Sequence, residues 1–148
     1  MEILIILTIL AYMLTTAAYF AYLFLQKNDL QRIGYFILMA GALFHTATII
    51  TGFSKSGHLP VSDLRETLSL AAWAIAVMFL VIQHKYNLKI LGIFAAPLVT
   101  LVMIVVSLLP SAPAQVSNIF KNFWLIAHVV AIFIGEAFFA LAGGLGVL

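Results

Sequence analysis

From Ile3 to Leu25 the chain carries no charged side chain, and four further apolar runs of similar length follow. A helix needs about 20 consecutive apolar residues to cross the hydrocarbon core of a bilayer. The runs lie at about residues 3–25, 33–53, 64–83, 88–109 and 123–148. Most of the charges sit in or beside the breaks between them: Lys27 and Asp29 after the first run, Lys55 after the second, Lys85 after the third, Lys121 before the fifth. Only 8% of the 148 residues are charged and 65% are hydrophobic, whereas a soluble domain carries roughly 25% charged residues. A chain so poor in charge cannot cover a globule with polar surface, so its apolar side chains must face lipid. The pattern predicts an all-α fold: a polytopic transmembrane helix bundle forming one domain over 1–148, with four complete spans and a fifth that reaches the C-terminus.

The start lacks the basic n-region and small-residue cleavage site of a signal peptide, so the first run is expected to be a retained span. The end, Gly143-Gly144-Leu145-Gly146-Val147-Leu148, has no charged or aromatic flank of the kind that anchors a membrane helix. The expectation is that these residues form the front part of a longer protein. Pro110 to Asn122, rich in Ser, Ala, Pro and Asn, reads as a loop. The loops after spans 1 and 3 hold Lys27, Arg32, Lys85 and Lys89, and those after spans 2 and 4 hold Lys55, Arg65 and Lys121. The excess of basic residues marks the cytoplasmic side, which places the N-terminus outside. A net charge of +2 gives no basis for a nucleic-acid partner, and the partner surface is the lipid bilayer. With no cysteine in the sequence, disulfides, thiolate metal sites and thiol redox chemistry are excluded.

Few side chains are left that could carry chemistry. His45 lies in the middle of span 2, where an ionisable group is costly and marks function by default; a hydrogen-bonded packing role is the competing reading. Asp63 is placed to cap the next helix, with Glu66 three residues on to close a capping box, while Pro60 forces an extended entry. Arg65, beside them, has the planar fork of donors that suits a carboxylate such as a propionate. Trp73 follows in the same span. His128 comes one turn into span 5 with Trp124 one turn before it on the same face, an arrangement compatible with axial ligation of a flat macrocycle such as heme. Glu136 lies eight residues further and deeper. His58 and His84 read as solvated loop residues, and Met13, Met39, Met78 and Met103 as packing.

The string Gly57-His58-Leu59-Pro60-Val61-Ser62-Asp63-Leu64-Arg65-Glu66-Thr67, continuing to Trp73 and preceded by His45-Thr46, resembles the N-terminal half of cytochrome c assembly proteins, the CcsA type of system II and its HemX-like relatives. Phe123-Trp124-Leu125-Ile126-Ala127-His128-Val129 is similar to the family segment in which a histidine opens the next span. The resemblance runs from about His45 to Ala140. It implies a multi-helix bundle in a bacterial inner (plasma) membrane that carries heme to the outer face, where apocytochrome c thiols are joined to the heme vinyl groups. It implies heme as cofactor, and apocytochrome c and other cytochrome c maturation subunits as partners. On this resemblance His128 is the first of two outer axial ligands and the metal-ligating residue. His45, Arg65, Glu66, Trp73 and Trp124 stand with it as heme contacts. The family's W-G-x-x-W-x-W-D core and the outer histidine after it do not occur in these residues, so the chain holds part of a heme site.

The leading expectation is therefore heme binding and delivery in cytochrome c maturation. No residue reads as a nucleophile or general base, so the chain alone has no catalytic residue of its own. Two alternatives come from other classes. A b-type electron-transfer subunit needs histidine pairs at matching depth, and His45 and His128 differ in depth. A small transporter or structural bundle needs a midplane polar site, for which His45 and Glu136 are the seeds.

Overall fold

A computed structural model of the chain describes residues 2–57, 61–110 and 123–147. It contains five helices: α1 (Glu2–Leu25), α2 (Asn28–Ser56), α3 (Leu64–Tyr86), α4 (Leu91–Leu108) and α5 (Phe123–Val147). Among the described residues there is no strand. All five helices are long and apolar enough to cross a membrane, and the protein is a multi-pass integral membrane protein. The loop read at Pro110–Asn122 lies outside the described residues except for Pro110 itself, and so do His58 and Pro60.

Helix ends follow local chemistry. The α1–α2 turn is only Gln26 and Lys27, with Gln26 at φ 49°. The second helix starts at Asn28, not near Ile33, because polar residues at the membrane surface stay helical once the turn has been made. It stops at Gly57, φ 70°, whose N–H donates to the Phe53 carbonyl at 2.8 Å, an αL ending that glycine adopts without strain. Asn87 ends α3 in the same way, φ 55°, donating to the Gln83 carbonyl at 2.9 Å.

Short turns make α1 and α2, and α3 and α4, antiparallel. The first four close a ring in which α1 packs on α2 and α4, and α3 packs on the same two; α5 lies outside the ring against α3 and, less, α4. The core is filled by Tyr12, Tyr19, Leu38, Phe79, Val99 and Met103. Glycines let the helices approach. A Cβ at Gly41 would stand 2.9 Å from the Tyr12 ring, and one at Gly92 would overlap the ring of Tyr19. With lipid as apolar as the side chains, such close packing and interhelical hydrogen bonds take over from hydrophobic burial as the cohesive terms.

Hydroxyls inside the spans are satisfied locally. Thr8, Thr15, Thr46 and Thr100 each donate to the carbonyl four residues back, at 2.8, 2.9, 2.7 and 2.9 Å. This back-bonding is how a threonine sits in a helix without an orphaned donor.

Candidate functional site

Three polar layers run through the ring. In the first, His45 on α2 is fully buried, with Nδ1 3.1 Å from the Tyr12 hydroxyl of α1 and Nε2 2.9 Å from the Ser69 hydroxyl of α3. A neutral imidazole donates from one nitrogen and accepts at the other, so one hydroxyl gives a proton to the ring and the other receives one. Next to it, Trp73 Nε1 donates to Thr46 Oγ1 at 2.8 Å, tying α3 to α2 a second time. In the second layer Thr16 and Thr100 meet at 2.8 Å across α1 and α4. In the third, the Tyr19 hydroxyl donates to Gln83 Oε1 at 2.7 Å and also meets the Gln31 side chain. Tyr12 and Tyr19 are seven residues apart, about 10 Å along the helix, so α1 presents both rings on one stripe.

The start of α3 is a cap. Asp63 Oδ1 accepts from the Glu66 N–H at 2.7 Å, and Glu66 Oε2 accepts from the Ser62 N–H at 2.9 Å. The reciprocal bond thus reaches one residue further back than in the usual capping box. Glu66 is engaged in holding this turn. Arg65, half-buried beside it, makes no hydrogen bond or ion pair among the described residues. Beyond its bond to Thr46, Trp73 borders an apolar groove of about 190 Å³ between α3 and α5, with Met78, Val130 and Phe133.

Helix α5 presents Phe133, Ala137, Leu141 and Gly144 to the ring, all buried. On its outward side Trp124 and His128 are exposed, and so is Glu136. His128 and Glu136 make no hydrogen bond or ion pair among the described residues.

The structure therefore brings His45 and Trp73 into one neighbourhood at the α2–α3 contact, and Trp124 and His128 into another on the outside of α5. It does not bring the two histidines together. A metal at either ring nitrogen of His45 would displace an existing hydrogen bond; one at His128 would displace none. Among the described residues no three His, Cys, Asp or Glu side chains form a metal-binding group. Sequence reasoning missed Tyr12, Ser69, Tyr19, Gln31 and Gln83. The signal that was present is the seven-residue spacing of Tyr12 and Tyr19 in span 1, and the two glutamines at the ends of apolar runs.

Five spans, a ring of four joined by buried polar pairs and one outrigger helix define a polytopic helical-bundle membrane protein. In sequence the chain is similar to cytochrome c biogenesis proteins of the CcsA kind. It is 29% identical over 99 residues to the cytochrome c biogenesis protein CcsA of Prochlorococcus marinus strain MIT 9301, covering 64% of this chain and 32% of that protein. It is 32% identical over 99 residues to CcsA of strain MIT 9312, with the same coverage. To CcsA of Pyropia yezoensis it is 27% identical over 125 residues, covering 82% of this chain and 39% of the relative. The chain thus spans about a third of the length of the curated relatives it matches. No family model matches it, and no solved structure does.

Proposed function

We propose that the chain is a heme-handling membrane component of cytochrome c maturation in a bacterial inner membrane, with its N-terminus outside. The likeness to CcsA proteins over most of its length carries this reading. The donor set is compatible with heme. His128 supplies an imidazole whose nitrogens hold no other bond among the described residues, and the Trp124 ring lies one turn away on the same side. His128 would hold the heme iron, with Trp124 beside the macrocycle and Arg65 to meet a propionate. His45 holds α1, α2 and α3 in register, and Glu66 and Trp73 hold the turn and the α2–α3 contact beside it. When bound, heme supplies the reactive vinyl groups for attachment to apocytochrome c, which is the client along with other maturation subunits as partners. The chain's own contribution is to hold and present.

The test is a visible absorption spectrum of the purified chain with added heme. The Soret band is expected to shift on binding, to lose that shift in His128→Ala and to keep it in His45→Phe. A shift that survives His128→Ala and disappears in His45→Phe would overturn the assignment.

A further inference from the structure

At the end of the bundle holding the α1–α2 and α3–α4 turns, a groove of about 370 Å³ opens between α2 and α3. It is lined by Gln31, Arg32, Tyr35, Gln83, His84 and Asn87, with the Phe36 ring at its edge. That both turns share one end is fixed by the Lys89 ammonium, which donates to Asn28 Oδ1 at 3.1 Å.

Two features distinguish this groove from an ordinary polar rim. Gln31 and Gln83 are 6% and 5% exposed, so the polar floor is buried. Gln83 spends its oxygen on the Tyr19 hydroxyl, and its amide N–H donors have no acceptor among the described residues. A buried donor without an acceptor is costly, and an oxygen-rich ligand supplies what is missing. Above this floor stand Arg32 and His84, neither of which makes a hydrogen bond or ion pair among the described residues. Lys27, Arg32, Lys85 and Lys89 lie at this end against a single carboxylate, Asp29. The first amides of α2 and the last carbonyls of α3 oppose each other here, so the side chains set the sign, and it is positive.

The groove also continues along the span. A second hollow shares Tyr35 and His84 with the first and runs on past Leu80, Val81 and Lys85, where Val81, inside the apolar run of α3, is exposed. A cationic, donor-rich mouth at a helix end joined to an apolar furrow matches an amphiphile with an anionic head. Arginine forks, amides and ring N–H groups are the donors that phosphate oxygens accept from, and basic clusters at helix ends attract anionic lipid. We propose that this α2–α3 groove binds an anionic phospholipid, its headgroup phosphate held by Arg32, Gln83, His84 and Asn87 and an acyl chain lying past Leu80 and Val81.

Native mass spectrometry of the delipidated full chain, titrated with phosphatidylglycerol or with phosphatidylcholine of the same acyl chains, tests this. Phosphatidylglycerol is expected to bind preferentially, and Arg32→Gln to weaken it about tenfold. Lys27→Gln removes the same charge outside the groove and is expected to leave binding unchanged. Both side chains are exposed and make no hydrogen bond or ion pair among the described residues, so both variants keep the fold. Equal binding of the two lipids, or equal weakening by the two variants, would overturn the proposal and leave diffuse surface charge. Displacement of the lipid by millimolar inorganic phosphate would overturn the lipid assignment and leave a free-anion site.

Discussion

His45 is held from both sides, by a hydroxyl of α1 and a hydroxyl of α3, and this decides what it can do in the bundle. Its two neighbours are not equivalent. Tyr12 is fully buried and bonded only through its hydroxyl to the ring, whereas Ser69 is half-buried on α3. Tyr12→Phe keeps the packing of the aromatic ring and removes the hydroxyl, leaving Nδ1 unpaired. The expected loss is about 1 kcal/mol, since intramembrane hydrogen bonds average somewhat under and buried unpaired groups somewhat over that figure. It is read as a fall in Tm in detergent. Ser69→Ala is expected to cost less, because the site lies nearer the surface. A Tyr12→Phe protein as stable as the parent would show that the imidazole finds another partner.

At the scale of the helices, the α1–α2 and α1–α4 contacts depend on absent side chains as much as on present ones. Gly92 leaves on α4 the space that the Tyr19 ring fills. Gly92→Val is expected to push that ring out, break the Tyr19–Gln83 bond and cost about 1–3 kcal/mol as overpacking; co-purification and thermal unfolding would both report it. The extents of the helices were largely legible in the sequence, because hydrocarbon excludes charge and the charged residues mark where it ends. The start of α2 was not, since Asn28 and Asp29 are as compatible with a turn as with a first helical turn at the membrane surface. The partners of His45 were not legible either. Tyr12 is 33 residues away and Ser69 is 24, and which faces meet depends on packing between helices that are apolar nearly all round. Gln83 reads from the sequence as the polar residue that closes span 3, although it is buried and bonded across the bundle. The cap at Asp63 and Glu66 was legible because it is local, spanning four residues. The outward direction of Trp124 and His128 became clear only once α5 was seen to use its other side against α3.

For the whole molecule, sidedness is the property most open to a direct check. The sequence has no cysteine, so single introduced cysteines report without background. With the N-terminus outside, a membrane-impermeant maleimide is expected to label Lys55→Cys in intact cells and Lys27→Cys only after permeabilisation. The reverse pattern would invert the orientation and move the phospholipid groove to the other leaflet. The buried polar layers also impose an order on synthesis. Helix α1 leaves the ribosome ahead of the helices it bonds to: the partners of Tyr12, Thr16 and Tyr19 follow 33, 84 and 64 residues later. A hydroxyl in hydrocarbon without a partner is a cost that the nascent helix must carry. Thr16 meanwhile bonds its own helix at 3.0 Å, but the two tyrosines are bonded only across the bundle among the described residues. Helix α1 is thus made before the partners that complete it, and a translational pause before Gln83 emerges leaves a hairpin in the bilayer whose Tyr19 hydroxyl has only the Gln31 side chain of α2 to meet.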